Sequence, residues 1–265
     1  MRPPGTVPTT PDPCPDPAPP GPPAPGASRR TPSDTSAEGP GDRSPARSDE
    51  SAPAFGGKPR RAVRPFDRVT VRLLEALMQR RWGFAPTVLR HLVEHYGPVQ
   101  STRWLLSGNQ RYESTLRALG PLRTHLAYVT ISLFKGCRYC TYGHAYALEL
   151  YHLKLNDRMF PVDAATMAGW AGLPRPELRA RLRDALVQAE LPVEVLWVDR
   201  ALELADGGRP IDEEEARIKH LVRILEVVTA VSLPVRPALD EAHDRLNKDL
   251  ELRDRLAARR AGLEP

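Results

Sequence analysis

The chain of 265 residues contains few cysteines and no long apolar run. Three cysteines, two of them in one CxxC, are too few for the disulfide scaffold of a small secreted domain. No stretch approaches the ~20 apolar residues of a membrane-spanning helix. The first residues also lack the apolar core of a signal peptide. These absences predict a cytoplasmic protein without a membrane segment.

A strong excess of charge of one sign is also missing. The chain has 38 Lys and Arg against 33 Asp and Glu, for a net charge of +5. The two signs are interleaved, as in Arg245, Lys248, Asp249 and Glu251. A nucleic-acid site usually needs a basic patch that displaces counterions along the phosphate backbone. We therefore expect no nucleic-acid partner.

Proline, by contrast, is abundant and unevenly distributed. The first sixty residues hold 17 of the 29 prolines, and after Met1 their only larger apolar side chains are Val7 and Phe55. So little apolar surface does not offset the entropy of ordering a chain. Beyond this stretch, apolar residues recur at three- and four-residue spacing, without the alternation typical of strands. We predict a disordered tail over residues 1–62 and one all-α domain over residues 63–265.

Local signals predict where several helices begin and end. Asp163 and Asp212 are placed to cap helices, and Pro121 opens an apolar, buried helix that stops at Gly136. The first helix is predicted over 66–81, with Val69, Leu73, Leu74, Leu77 and Met78 on its inner side. We further predict helical structure over 99–119 with a break near Gly108, and a charged terminal helix over 238–259.

Cys137, Cys140 and His144 form a CxxCxxxH cluster at the start of a predicted helix. They lie within about 60° of one another around an ideal helix, so the three side chains share one face. The unpaired N–H groups and the dipole of the first turn favour a thiolate. No Asp or Glu occurs between Ser114 and Leu148 to oppose it. A thiolate can attack a peroxide bond, and a second thiol can capture the resulting sulfenic acid as a disulfide.

The segment "RTHLAYVTISLFKGCRYCTYGHAYAL" places an apolar helix, Ser132 and Gly136 before the motif CxYCxxxH. It resembles the alkylhydroperoxidase D-like and carboxymuconolactone decarboxylase superfamily, with a clear match over about residues 111–190. The resemblance implies that fold and a thiol-dependent hydroperoxide reductase or related thiol oxidoreductase. Cys140 would attack the peroxide, Cys137 would resolve the intermediate, and His144 would relay protons. It also implies no metal or organic cofactor, a hydroperoxide substrate, a separate disulfide reductant and a homo-oligomer, a trimer or a multiple of one.

The sequence departs from this family at one relay position. The peroxidase members carry a Glu twelve residues before the first cysteine, where this chain has His125. A neutral imidazole can still accept a proton through water, which would keep the relay working. Alternatively, the chain keeps the fold and the cysteine pair without efficient peroxide turnover. It would then be a non-catalytic helical module with a redox-switch cysteine pair.

Two metal sites are further alternatives. His125 and the CxxCxxxH residues make a Cys2His2 set that zinc would accept in tetrahedral geometry. His91, Glu94 and His95 spell HxxEH, a weak match to a metalloprotease pattern. His152 is interpreted as a packing residue, and His220 and His243 have no sequence partner and receive no role. Tyr139 and Tyr142 are candidates to line a peroxide pocket.

Overall fold

The computed structural model describes residues 65–263, so the predicted tail lies outside the described residues. Within them the chain forms ten α-helices and one short 3-10 helix, without a strand, which confirms the all-α class. The helices are α1 (Pro65–Trp82), α2 (Val88–Tyr96), α3 (Pro98–Leu119), α4 (Pro121–Phe134), α5 (Arg138–Asn156), α6 (Ala164–Gly169), α7 (Arg175–Gln188), α8 (Glu194–Ala205), α9 (Glu213–Val235) and α10 (Leu250–Arg260). The 3-10 helix spans Arg245–Lys248. None of the helices in this part of the chain is long and apolar enough to cross a membrane.

Helix α4 is the central element of the fold. Every side chain from position 124 to position 133 is buried, as the apolar sequence of this helix predicts. It packs against α5, α8 and α9, with further contacts to α3 and α7. Because α4 ends immediately before the cysteines, its burial places the start of α5 deep in the molecule.

Three apolar cores surround α4 and α5. The first fills the space between α1, α2, α3 and α9 and reaches both cysteines. The second joins α4 to α6, α7 and α8. The third attaches α10 and the chain before it to the outer side of α5. The cysteine motif therefore lies between the first core and the C-terminal part of the chain.

The predicted aspartate caps are present. An Asp163 carboxylate oxygen accepts the Thr166 backbone N–H at 2.9 Å, and Asp212 accepts that of Glu215 at 2.8 Å. Each bond satisfies one of the N–H groups that a helix start leaves without an intrahelical partner. These two helix starts follow from local chemistry alone.

The structure corrects three helix predictions. Helix α3 runs without a break through Gly108, which sits in open space. The inward side of α1 holds Val71, Leu74 and Met78, whereas Val69, Leu73 and Leu77 are exposed. The terminal helix begins only at Leu250, because Asp240 and Asp244 accept hydrogen bonds from the buried Tyr139 and Tyr112 hydroxyls instead of facing solvent. We call residues 237–244 the crossing segment, since they join α9 to the 3-10 helix across the start of α5.

Candidate functional site

The two motif cysteines lie at the N-terminus of α5. Gly136 adopts a φ of 72°, which ends the preceding turn, and Cys137 then caps the new helix. The Cys140 backbone N–H donates to the Cys137 sulfur at 3.2 Å. The two residues are joined by a disulfide, and they are 0% and 1% exposed. The sequence prediction that a helix start carries both sulfurs is therefore confirmed.

Cys140 and His144 line one partly open cavity of about 80 Å³. The rest of its wall is largely apolar and includes Met78, Trp82, Leu89, Leu92, Trp104 and Val228. A mostly apolar pocket with a few convergent polar groups is the usual form of a small-molecule site. One cysteine and two imidazoles, those of His144 and His243, are thus available to a molecule held in this cavity.

His144 is held as a neutral base. Its ring stacks on Tyr128 with centroids 4.0 Å apart, and its Nδ1 lies 3.3 Å from Nδ1 of His125. Burial lowers the pKa of His144 well below its usual value, and the neighbouring His243 and His125 lower it further. The ring can therefore accept a proton only transiently.

His125 is fully buried and faces a carboxylate that is distant in sequence. Its Nε2 lies 3.4 Å from Oδ2 of Asp244, a residue 119 positions along the chain, and 3.2 Å from the Tyr112 hydroxyl. That hydroxyl donates to the same Asp244 oxygen at 2.7 Å. Burial alone would raise the pKa of Asp244, but hydrogen bonds from His125 and Tyr112 bring it below its usual value. A buried acid thus lies behind the predicted relay histidine.

A second His–Asp pair covers the same end of the cavity. His243 Nε2 lies 3.1 Å from Asp240, whose other oxygen accepts the Tyr139 hydroxyl at 2.8 Å and the Thr87 N–H at 2.9 Å. The His243 backbone N–H donates to the Gly143 carbonyl at 2.9 Å. A Cβ on Gly143 would come within 3.0 Å of the His243 ring, so only glycine permits this approach.

The four predicted site residues are close together. Cys137 and Cys140 are bonded, His144 follows one turn later, and His125 contacts His144 from α4. No Asp or Glu lies between Ser114 and Leu148 along the chain, but in space the crossing segment brings Asp240 and Asp244 to the site.

Sequence reasoning missed Tyr112, Asp240, His243 and Asp244. The crossing segment looks like the start of a charged helix, and no local pattern pairs its acids with His125 or Tyr139. The only available signal is that Pro234 and Pro237 precede a short stretch holding two aspartates and a histidine. Prolines at that spacing disfavour a regular helix but do not identify a partner.

Of the two tyrosines predicted to line a peroxide pocket, one lines this cavity, and the remaining sequence motifs lie apart from it. His91 pairs with Glu94 on α2 at 3.3 Å. Among residues 65–263, no three His, Cys, Asp or Glu side chains form a group that could hold a metal ion. Tyr139 lines the cavity, whereas the Tyr142 ring packs against Tyr146. His152 is buried and bonds the Arg158 carbonyl at 2.9 Å, in agreement with a packing role.

Comparisons of the chain with protein-family models, with curated proteins and with solved structures found no match. Membership of the alkylhydroperoxidase D-like superfamily therefore stays a prediction that rests on the cysteine motif.

Proposed function

We propose that the protein is a thiol-dependent hydroperoxide reductase or a related thiol oxidoreductase. One observation carries this proposal: Cys140, paired with Cys137 at the start of α5, lines an apolar cavity beside His144. A thiol that shares a largely apolar cavity with a neutral base is suited to nucleophilic attack on a neutral substrate. The motif's resemblance to the alkylhydroperoxidase D-like superfamily supports the same chemistry.

The reaction begins with both thiols reduced. His144 accepts the Cys140 proton, and the thiolate attacks the peroxide, so that an S–O bond forms as the O–O bond breaks. The departing alkoxide takes the proton of the Cys137 thiol and leaves as an alcohol. The resulting Cys137 thiolate attacks the sulfenic acid on Cys140, the S–O bond breaks, and the disulfide forms. The leaving hydroxide takes the proton held by His144 and departs as water. The Cys140 backbone N–H, at hydrogen-bond distance from the Cys137 sulfur, stabilises the charge of this second thiolate.

The cavity favours a small, uncharged organic hydroperoxide. Its apolar wall contacts an alkyl group well but offers little to replace the water around a charged molecule. A separate dithiol must return the disulfide to two thiols. We also propose a cytoplasmic location, no bound cofactor, an alkylhydroperoxidase D-like fold and a homo-oligomer, the last two on the basis of the family resemblance.

The burial of both cysteines favours a second candidate, a redox switch without turnover. Tyr139, between the two cysteines, bonds Asp240 of the crossing segment. Reduction of the disulfide would then alter the contacts of that segment rather than support catalysis. The two candidates differ in whether a hydroperoxide oxidises the reduced pair directly.

The test is a single-turnover reaction of reduced full-length protein with one equivalent of tert-butyl hydroperoxide. All variants carry Cys14→Ser, so that only the motif thiols are counted. We expect the parent protein to lose two thiols for each peroxide consumed. Cys137→Ser should stop at a sulfenic acid that a dione reagent traps, and Cys140→Ser should not consume peroxide above the rate of the buffer.

Equal and slow peroxide loss with the parent and with Cys140→Ser would remove the reductase proposal. If the parent is nevertheless oxidised by a disulfide such as oxidised glutathione, and its crossing segment changes its hydrogen exchange, the switch is the better description. Hydrogen peroxide serves as the second substrate, and we expect it to react more slowly than the organic peroxide.

A further inference from the structure

We propose that Asp244 is a positioning residue that fixes the tautomers of His125 and His144, so that Nε2 of His144 faces the cavity as a proton acceptor. The proton transfer that this arrangement serves rests on the function proposed above. The tautomers themselves follow from the hydrogen-bond geometry and are measurable without any reaction.

The orientation of the Asp244 carboxylate is set by its neighbours. The side chain is buried at 0% exposure. Its Oδ1 accepts the Leu246 backbone N–H at 2.8 Å and the Tyr151 hydroxyl at 3.1 Å. Its Oδ2 accepts the Tyr112 hydroxyl at 2.7 Å and lies 3.4 Å from Nε2 of His125. The two oxygens of Asp244 therefore have different partners, and only Oδ2 faces His125.

Both polar neighbours of Nε2 on His125 are acceptors. An ionised carboxylate has no proton to donate. Tyr112 has one hydroxyl proton, and this proton goes to Asp244, so the Tyr112 oxygen presents a lone pair to His125 at 3.2 Å. Nε2 of His125 must therefore carry hydrogen. In the neutral ring this leaves Nδ1 as an acceptor.

The tautomer of His125 in turn determines the tautomer of His144. Their Nδ1 atoms lie 3.3 Å apart, and since that of His125 accepts, that of His144 must donate. The remaining nitrogen of His144, Nε2, points away from His125 and then carries the lone pair, and the ring lines the cavity together with Cys140. When it takes the Cys140 proton, the Nδ1 proton can pass to His125. Asp244 then lies beside the resulting imidazolium and stabilises it.

The variant Asp244→Asn tests this inference sharply. Leu246 and Tyr151 donate to the Oδ1 position, so the amide oxygen should stay there and the NH₂ group should face His125. A donor at that point removes the proton from Nε2 of His125 and reverses both tautomers. Nε2 of His144 would then carry hydrogen and could not accept the thiol proton.

The measurement is ¹⁵N NMR of protein labelled in the histidine rings, at pH 8. We expect Nε2 of His144 to be unprotonated in the wild type and protonated in Asp244→Asn. Asp240→Asn is the matched control, because Asp240 bonds His243 rather than His125. It should leave the protonated nitrogens of His125 and His144 unchanged, although His243 packs edge-on against His144 with ring centroids 5.2 Å apart. Oxidation of the thiols by tert-butyl hydroperoxide should slow about 100-fold in Asp244→Asn, the usual scale of a lost general base.

A wild-type His144 with a protonated Nε2 would overturn the inference, even if Asp244→Asn does not fold. So would unchanged tautomers in a folded Asp244→Asn protein. If the wild-type tautomers are as assigned but no peroxide is consumed, the proposed function fails while the tautomer assignment stands. The two failures are therefore distinguishable.

Discussion

At the scale of single residues, the contact between Gly143 and His243 is the tightest constraint on the site. The glycine has helical geometry, so its role is space rather than backbone conformation. A side chain there would meet the imidazole ring, which is itself held by Asp240 and by the Gly143 carbonyl. His243 can therefore take its position over the cavity only because residue 143 has no Cβ.

We expect Gly143→Ala to lower the free energy of unfolding by about 1–3 kcal/mol, the usual cost of overpacking a buried contact. Urea unfolding at pH 7.5 measures the change. Gly108→Ala is the control. Gly108 is also inside a helix, but a Cβ added there would have no other atom within 4 Å. That variant should gain about 0.5–1 kcal/mol from the better helix propensity of alanine. Equal stabilities of the two variants would contradict this account of Gly143.

At the scale of elements, the crossing segment is held to α5 by polar side chains rather than by an apolar face. Asp240 bonds Tyr139 on α5 and Thr87 before α2, while Asp244 bonds Tyr112 on α3 and Tyr151 on α5. Such hydrogen bonds fix how the crossing segment is aligned with α5, but much of their stabilising free energy is lost when one partner is removed. The segment is therefore the element whose opening most directly controls access to the disulfide.

Tyr139→Phe tests this control of access. It removes a hydrogen bond to a charged group, which typically contributes about 1.5–3 kcal/mol. Local opening of the crossing segment should become roughly tenfold more frequent, which corresponds to ~1.4 kcal/mol. Reduction of the buried disulfide by a phosphine should accelerate in proportion. Tyr142→Phe is the control, because Tyr142 lies five residues after the first cysteine and its ring packs against Tyr146. It should react like the wild type. Equal acceleration in both variants would exclude the mechanism.

The helices differ in how well the sequence predicts them, for physical reasons. Asp163 and Asp212 act on N–H groups three residues away, and Gly136 acts on its own backbone, so their signals are local. The apolar run of α4 likewise predicts burial on all sides. The crossing segment depends instead on hydroxyl and imidazole partners up to 153 positions away, such as the Thr87 bond to Asp240.

The same contrast applies within the site. Cys137, Cys140 and His144 are recognisable because one helix spaces them. The position of His125 relative to His144 needed the packing of α4 on α5, which the family resemblance supplied as an expectation. No spacing rule connects either histidine to Asp244, because the carboxylate arrives from the far end of the chain.

At the scale of the whole molecule, a buried ion pair adds to the third apolar core in holding α10 against the interior. Glu149 on α5 is 0% exposed, and its Oε1 accepts both the Arg260 guanidinium and the Ala164 N–H at 2.6 Å. Burial raises the pKa of Glu149, while Arg260 and Ala164 oppose that shift. The last turn of α10 thus stabilises the Glu149 carboxylate between α5 and α6.

Arg260→Ala should cost about 3 kcal/mol, since it leaves a buried charge without its cation. In a Glu149→Gln chain the same change should cost less than about 1 kcal/mol, because no uncompensated charge results. Thermal and urea unfolding of the four proteins of this cycle provide the measurement. Similar losses in both backgrounds would show that packing of Arg260 on Tyr146, and not the ion pair, holds α10.

The stability of the whole fold should fall as the pH drops below about 6.5, the usual pKa of histidine in an unfolded chain. His144 stays neutral in the folded protein because its pKa is lowered by burial and by His243 and His125, whereas the unfolded chain binds a proton there. Protons therefore favour unfolding, by about 2 kcal/mol for this group between pH 7.5 and pH 5.

His144→Phe keeps a ring on Tyr128 but removes this titration. Its unfolding free energy should decrease less than that of the wild type over the same interval, as measured in urea at the two pH values. Among the groups that face His144, Asp244 behind His125 and Asp240 behind His243 have lowered pKa values and stay ionised in this range. Identical pH dependence of the two proteins would contradict a neutral His144.

The positions of the tryptophans affect what their fluorescence can report. The Trp82 ring stacks near His243 with centroids 6.1 Å apart, and Trp104 lines the same cavity. The other two lie elsewhere, with Trp170 under Arg181 and Trp197 under Arg123. In a chain with Trp170→Phe and Trp197→Phe, all indole fluorescence would come from the cavity wall. The protein would then report by its own emission when a molecule enters the cavity and when the crossing segment moves.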